Sequence, residues 1–290
     1  VNDRECVALL GWALPRLGHR WEGYRRVRRR VCRRIAARLR GLGLADAAAY
    51  RRRLEADPGE WAALQACLPV TVTRFCRDRE VFRALAAVVL PALAQAALAA
   101  GGTALRAWSA GCANGEEPYS LGLLWRFGLQ ARFPGIRLEI LATDIDAQVL
   151  QRAGTACYPE SSLRELPGEW RQAAFSRQGG RYCLRPGYRA PVRFVRQDLA
   201  QEMPQGAFHL ILCRNLAFTY FSEPRQRRIA SQLAERLAPG GCLVLGSHER
   251  LPRGTAGLQP WPGARHCYRK APGVWQSEQR RREMRPPIGE

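Results

Sequence analysis

From about residue 104 onward the chain alternates between short apolar runs and stretches with helical periodicity, and this rhythm restricts the fold more than any other feature. The runs are "ALRAWS", "RLEILAT", "VRFV", "FHLILC" and "GCLVLGS". Each has the length of one buried strand, and the intervals are long enough to hold a helix. Strands separated by helices imply a parallel sheet covered on both faces, an α/β architecture. Between residues 170 and 192 the segment "EWRQAAFSRQGGRYCLRPGYRAP" breaks the rhythm. Its Gly179-Gly180 pair, flanked by "AFSR" and "RYCLR", predicts a small hairpin inserted before the third strand.

The first seventy residues read as helical instead. In "GYRRVRRRVCRRIAARLRGLGL", Tyr24, Val27, Val31, Ile35 and Leu39 recur at three- and four-residue spacing and make one apolar stripe. The other faces are nearly solid arginine, including Arg26, Arg29, Arg30, Arg33 and Arg40, and Gly41 and Gly43 end the helix. Two shorter helices follow in "ADAAAYRRRLEADPGEWAALQACL", broken at Asp57-Pro58-Gly59. The expected organisation is a basic all-α domain over 1–70, a linker and connecting helix over 71–103, and an α/β domain over 104–270. A polar, proline-bearing tail over 271–290 is expected to be disordered.

Charge narrows the partners. Lys and Arg number 46 against 25 Asp and Glu, for a net +21, and Lys270 is the only lysine. A run of arginines can be a plain solvated face. Between Arg25 and Arg40, however, almost no acidic side chain offsets the repulsion along the helix. That favours an acidic partner for this surface, whether nucleic acid, anionic membrane or protein. The ten cysteines are scattered singly, none closer than Cys67 and Cys76, and with four histidines and no C-x-x-C pair no metal site is expected. Single thiols point to a reducing cytoplasm. No membrane span and no leader are expected either, since no apolar run reaches 18 residues.

Parallel sheets bind ligands at the carboxyl ends of their strands, and four such ends carry polar groups here. After the first strand comes Ser109-Ala110-Gly111-Cys112-Ala113-Asn114-Gly115, whose small side chains permit close approach to backbone. Glu116 and Glu117 follow at a helix start. They disfavour a phosphate and suit a cation such as an ammonium group, or they simply stabilise the helix dipole. After the second strand, "LATDID" puts Asp144 where a carboxylate can hold ribose hydroxyls or cap the next helix. Asp198 in "RQDL" can accept from an adenine amino group, and Arg214-Asn215 directly follow the fourth run. An ammonium group, a ribose and a base, with no phosphate required, describe S-adenosylmethionine. A dinucleotide fits poorly, because G-x-G-x-x-G is missing.

Over about residues 20 to 270 the chain resembles the chemotaxis-receptor glutamate methyltransferase family (CheR type). "SAGCANGEEPYS" is similar to the family's "SAGCSTGEEPYS". "VTVTRFCRD", "ILATDIDAQVLQRA", "FHLILCRN" and "LAPGGCLVLGSHE" resemble its other blocks, in order and at compatible spacing. The resemblance implies a Rossmann-like class I methyltransferase domain with a small β-subdomain insert, preceded by a small all-α domain. It also implies methyl transfer from S-adenosylmethionine to glutamates on cytoplasmic chemoreceptor helices. By motif, Thr71, Thr73, Arg77, Gly111, Glu117, Asp144, Asp198, Leu199, Asn215 and Leu216 would surround the cofactor. Arg77 and Tyr220 would place the substrate carboxylate, with no metal involved.

Three departures stand out. "CRNLAFTYF" is one residue longer than the family's "CRNVLIYF", "GSHE" replaces "GHSE" and leaves Glu249 in register in place of His248, and the hairpin is short. A short hairpin argues against tethering to a receptor's C-terminal pentapeptide. The expected protein is a cytoplasmic monomer that neither enters the membrane nor acts on nucleic acid. Structural roles compete for both catalytic candidates: Arg77 can pair with Asp78 or Glu80, and Tyr220 can be core packing. Rival functions are a family member acting on another carboxylate, a nucleic-acid methyltransferase, and a non-catalytic module that binds cofactor or receptor. Against the nucleic-acid enzyme, the fourth strand is followed by Arg214-Asn215-Leu216-Ala217 and not by an Asn-Pro-Pro-Tyr-like element.

Overall fold

The computed structural model describes residues 2–71 and 73–271. The expected disordered tail falls almost wholly outside the described residues. The chain packs as two compact units: Val1–Val72 with Leu216–Gln226, and Thr73–Asn215 with Arg227–Glu290.

The first unit is helical. It contains α1 (Asp3–Arg16), α2 (Trp21–Tyr24), α3 (Arg28–Gly41), α4 (Ala47–Ala56) and α5 (Glu60–Cys67). The apolar stripe does what its spacing predicts: Tyr24, Val31, Ile35 and Leu39 are buried in one core with Leu10, Leu14, Tyr50 and Leu64. It does not belong to one helix, because Val27 breaks the run between α2 and α3 with φ −109° and ψ 1°. Arg26, Arg29, Arg30, Arg33 and Arg40 remain exposed. Arg38 is different: it makes a two-pronged bond to Glu60 at 2.9 and 2.7 Å. Tyr50 adds a third donor to that carboxylate at 2.8 Å, and Glu60 is 3% exposed.

Among the described residues the second unit holds ten strands in two sheets. The larger is built from β1 (Ala104–Ala110), β2 (Arg137–Asp144), β6 (Val192–Arg196), β7 (Phe208–Leu212), β8 (Leu237–Val244), β9 (Leu258–Pro260) and β10 (Cys267–Lys270). Their order is β6-β2-β1-β7-β8-β10-β9. The five strands predicted from apolar runs pair in parallel. The last two join antiparallel, and their sequences, "LQP" and "CYRK", carry no apolar run. The smaller sheet, β3 (Cys157–Tyr158), β5 (Arg181–Leu184) and β4 (Phe175–Gln178), begins well before residue 170. Its hairpin turns at Gly179 and Gly180, both at positive φ as a two-residue turn of this kind demands.

Helices flank this unit: α6 (Arg79–Ala84), a π-helical turn (Leu85–Val89), α7 (Leu90–Ala99), α8 (Glu116–Gly128) and α9 (Ala147–Thr155). Arg79–Ala99 is long and apolar enough to cross a membrane by length and composition alone. Val81, Phe82, Leu85, Val89, Leu90 and Leu93 are instead core residues of the sheet unit. The cysteines depart from expectation. Cys6 pairs with Cys32, and Cys157 with Cys183 across β3 and β5, so four of the ten are disulfide-bonded. Linear spacing hides both pairs, since the partners lie 26 residues apart in each.

Gly115 sets the junction of β1 and α8. Its φ is +89°, and a Cβ there would lie 3.0 Å from Ala153 Cβ, 3.2 Å from Phe194 and 3.2 Å from Tyr119. Close packing of α9, β6 and α8 therefore requires a glycine. Gly115→Ala is expected to cost about 2–4 kcal/mol from strain and overpacking. Gly154→Ala, where a Cβ meets nothing within 4 Å, is expected to gain about 0.5 kcal/mol. Urea unfolding of the two variants reads both values.

Candidate functional site

Strand order reverses at β1, which has β2 on one side and β7 on the other. The carboxyl ends of these strands are where such a sheet receives a ligand. The turn after β1 is first of all a set of internal bonds. Gly111 and Cys112 donate their N–H groups to Thr143 O at 2.8 and 2.9 Å, and Gly115 donates to Cys112 O at 3.0 Å. Ala113 N–H donates to Asp144 Oδ2 at 2.9 Å. With these amides committed, the turn is no phosphate cradle. Gly111 at φ 74° and Ala113 at φ 50° give it its left-handed path.

Asp144 does not cap α9. That role belongs to Asp146, which accepts from Gln148 N at 2.8 Å. Asp144 accepts from Ala113 on one oxygen and from Asp146 N, at 3.0 Å, on the other. Burial nonetheless pushes its carboxyl above the usual range. Beside it Ile145 is 39% exposed, an apolar surface at a polar strand end that the sequence did not single out. After β6, Asp198 closes its own turn by accepting from Ala200 N at 2.9 Å, while Leu199 is buried.

Glu116 and Glu117, adjacent in sequence, have different fates. Glu117 accepts from Ser109 Oγ at 2.8 Å and from Arg214 at 3.0 Å. Glu116 is buried, with Ser162 Oγ 3.4 Å from its Oε1, and its Oε2 has no hydrogen-bond partner. Burial raises its pKa to about 7. The two glutamates therefore part: Glu117 is bonded to Ser109 and Arg214, whereas Glu116 is buried against Ser162.

Arg214 ties the site together. Its side chain is 2% exposed and bonds Glu117, Asp78 at 2.9 Å and the Arg77 carbonyl at 2.7 Å. Burial alone would raise the Asp78 carboxyl, but Arg214, the Ser247 amide and Arg77 hold it below its usual value. Asp78 thus pairs with Arg214. The linker is pinned further along: Cys76 N–H donates to Ser120 Oγ at 2.8 Å, and Phe75 lies edge-on to Tyr158 and Phe175 at 4.9 and 5.3 Å. Thr73 and Arg77 are half-buried on this linker.

Asn215, at φ 55°, donates its N–H to Glu249 Oε2 at 2.7 Å, and the same oxygen accepts from Gly246 N at 2.8 Å. A Cβ on Gly246 would fall 2.5 Å from Asn215 Nδ2. Glu249 is turned inward, 3% exposed, and His248 lies in solvent. Thr71, Leu216 and Tyr220 belong to the helical unit. There Tyr220 ends the short helix α12 (Ala217–Tyr220), packs partly against the unit's core, and has its ring 4.9 Å from that of Tyr24. Core packing accordingly describes part of its role.

This strand order, with polar groups at the carboxyl ends of β1, β2, β6 and β7, defines a class I methyltransferase-like domain. The family model for CheR methyltransferase, SAM binding domain, matches residues 71–265, and the chain belongs to that family, whose cofactor is S-adenosylmethionine. A chemotaxis protein methyltransferase of Listeria monocytogenes is 35% identical over 184 residues, 63% of this chain and 67% of that one. A probable chemotaxis protein methyltransferase of Rhizobium etli is 34% identical over 229 residues, covering 76% and 84%. A 104.1 kDa protein of Rhodobacter capsulatus is 35% identical over 228 residues, and there the match spans 78% of this chain but 23% of the relative. Among solved structures, an N-methyltransferase NodS from Bradyrhizobium japonicum in complex with S-adenosyl-L-homocysteine has a TM-score of 0.31 and 17% identity, over 60% of this chain and 62% of that one. That likeness is too slight to bear on the site. The residues present suit the cofactor: the turn after β1 has committed amides and no phosphate cradle, and Asp144 sits beside exposed Ile145, an acceptor next to an apolar face.

Glu116 gives a pH signature. Its folded pKa, about 7, stands above its ordinary value of 4.5, so its contribution to stability is full below about 4.5 and is lost as pH rises through 7. Glu116→Gln keeps the neutral shape. It is expected to match wild type near pH 4 and to exceed it by about 3 kcal/mol at pH 8.5, read by denaturant unfolding at both values.

Proposed function

We propose that this protein transfers a methyl group from S-adenosylmethionine to glutamate side chains on the cytoplasmic helices of chemoreceptors, forming glutamyl methyl esters. The observation that carries the reading is the Arg214 clasp, which fixes the linker at Arg77 and Asp78 to Glu117 at the head of α8. An arginine anchored in this way beside the strand ends suits recognition of a carboxylate. Relatives named chemotaxis protein methyltransferase supply the substrate class.

In this reading Thr71, Thr73, Arg77, Gly111, Glu117, Asp144, Asp198, Leu199, Asn215 and Leu216 surround the cofactor, and Arg77 and Tyr220 place the substrate carboxylate. S-adenosylmethionine, when bound, supplies an electrophilic methyl on a sulfonium centre. A glutamate with pKa about 4.3 is already ionised at neutral pH, so its oxygen needs no general base. The chain's own task is orientation, which is worth on the order of 7–11 kcal/mol. Arg77 must orient without gripping so tightly that the bound carboxylate becomes a poor nucleophile. Tyr220 adds a weaker, neutral hydrogen bond.

The basic helical domain, 1–70, docks the receptor. Exposed Arg26, Arg29, Arg30, Arg33 and Arg40 on and before α3 face an acidic helix. The enzyme works in the cytoplasm as a monomer, without a pentapeptide tether, and spares nucleic acid. The linker and connecting helix, 71–103, join this domain to the methyltransferase domain, 104–270.

The test is transfer of radiolabelled methyl to a purified chemoreceptor cytoplasmic fragment, with tRNA and DNA as controls. Base-labile label on the receptor, reduced at least about 100-fold by Arg77→Ala, is the expected result. Label on nucleic acid, or none on receptor despite tight cofactor binding, overturns the proposal. Charge reversal at Arg29 and Arg33 is expected to raise the receptor KM about tenfold at low salt, to leave cofactor Kd unchanged, and to lose its effect as salt rises.

A further inference from the structure

The turn that carries Tyr220 is too short to hold its own shape. Helix α12 is a single turn of four residues, and a lone helical turn is unstable in water because its nucleus fixes many dihedrals for one bond. Its geometry must come from what surrounds it. Within the helical unit, that surrounding is the segment from Leu17 to Tyr24.

The contacts run along nearly the whole of both segments. Gly18 O accepts from Ser222 N at 2.9 Å, His19 forms a bridge with Phe221, and Arg20 N–H donates to Tyr220 O at 2.9 Å. The Arg20 guanidinium donates to Thr219 O at 3.0 Å and to Phe218 O at 2.6 Å, capping carbonyls at the end of α12 that its own turn leaves open. Arg225 donates to Leu17 O at 2.8 Å. Gly23 lies so close that a Cβ would sit 2.3 Å from Thr219 O. The backbone of α12 is thus cast against residues 17–24.

The side chains extend the mould to the phenol ring. Tyr24 is 2% exposed, and its ring faces that of Tyr220 at 4.9 Å, tilted by 49°. Its hydroxyl bonds His19 Nδ1 at 2.8 Å, and His19 meets Phe221 edge-on at 4.9 Å. Burial, with Arg225 nearby, lowers the His19 pKa to about 4, so the imidazole is neutral near pH 7. Tyr24 in turn is held off ionisation by burial and by Tyr220 beside it.

We infer that Tyr24, seated on His19, is a positioning residue for Tyr220, and that residues 17–24 are the template for α12. The helical unit therefore fixes the orientation of the Tyr220 phenol in addition to docking a partner. This inference rests on the proposed role of Tyr220 in methyl transfer.

A double-mutant cycle tests it in the full-length protein, with label transfer to a purified chemoreceptor cytoplasmic fragment as the activity and calorimetry for cofactor Kd. Tyr220→Phe is expected to lower kcat. Tyr24→Leu is expected to lower kcat about 10- to 100-fold, with receptor KM and cofactor Kd unchanged, and Tyr24→Phe, which keeps the ring, to recover most of that loss. In the Tyr220→Phe background, Tyr24→Leu should cost less than about twofold, because the group it positions is already gone. Equal losses in both backgrounds, or no loss in either, overturn the inference and leave the role of Tyr220 standing. If Tyr220→Phe itself keeps wild-type kcat, the proposed role of Tyr220 fails and the inference falls with it. Should Tyr24→Leu lose its helical circular dichroism, Arg20→Met, at an exposed position that caps α12, takes its place in the cycle: a loss confined to the Tyr220 background supports the inference, and equal losses or none overturn it.

Discussion

A single buried guanidinium organises the sheet unit. Arg214 has a side chain 2% exposed, and a charge so placed is tolerable only when it is matched. The match comes from three directions: Glu117 at the start of α8, Asp78 before α6, and the carbonyl of Arg77. Losing one acid would leave the guanidinium paired with the other and strip one charge-assisted hydrogen bond from it, at a cost of about 1.5–3 kcal/mol. The linker, the strand end and the helix start are therefore fixed as one electrostatic object. Asp78 even adopts a left-handed backbone, φ 61°, to bring its carboxylate there.

That arrangement also clarifies the arginine surplus. Composition counts 46 Lys and Arg together, as if they were one population, yet their physical roles divide. Arg214 is used inside the sheet unit. Arg38 closes on Glu60, which Tyr50 also holds, in the helical unit, and Arg20 caps α12. Arg29, Arg30 and Arg33 remain in solvent along α3 with no acidic neighbour in the sequence around them. This last group is the one free to contribute to the long-range field that net charge implies at the surface of α3.

What the sequence made legible followed from periodicity. Five apolar runs became the parallel strands, and the Tyr24-to-Leu39 stripe found the core. Features resting on tertiary partners were hidden. β9 and β10 are held by neighbours and not by their own apolarity, so no run announces them. The pairing of Cys6 with Cys32 needs α1 and α3 to meet. At the site, "GEE" does not say which glutamate is buried; the direction each side chain takes from the first turn of α8 decides it. Gly115 reads as a residue that lets a ligand approach, whereas its neighbours Ala153, Phe194 and Tyr119 explain it as packing. Asp146 takes the capping role that the sequence alone leaves open to Asp144.

Methyl transfer to a carboxylate places an unusual demand on such a scaffold. No proton has to be moved, so no tuned histidine or acid is needed, and the burden shifts to geometry. Geometry in turn is only as good as the rigidity of the residues that impose it. For the reaction proposed above, the elements that carry the candidate residues are short ones that cannot relax alone, each fixed by polar bonds at its ends. The turn after β1 is stapled to Thr143 and Asp144, Asn215 is locked by Glu249 against Gly246, and α12 is cast on residues 17–24. A longer helix could carry a side chain by its own stability, but it would also tolerate a shifted register. A one-turn helix capped by Arg20 and wedged on Gly23 has no second register to adopt.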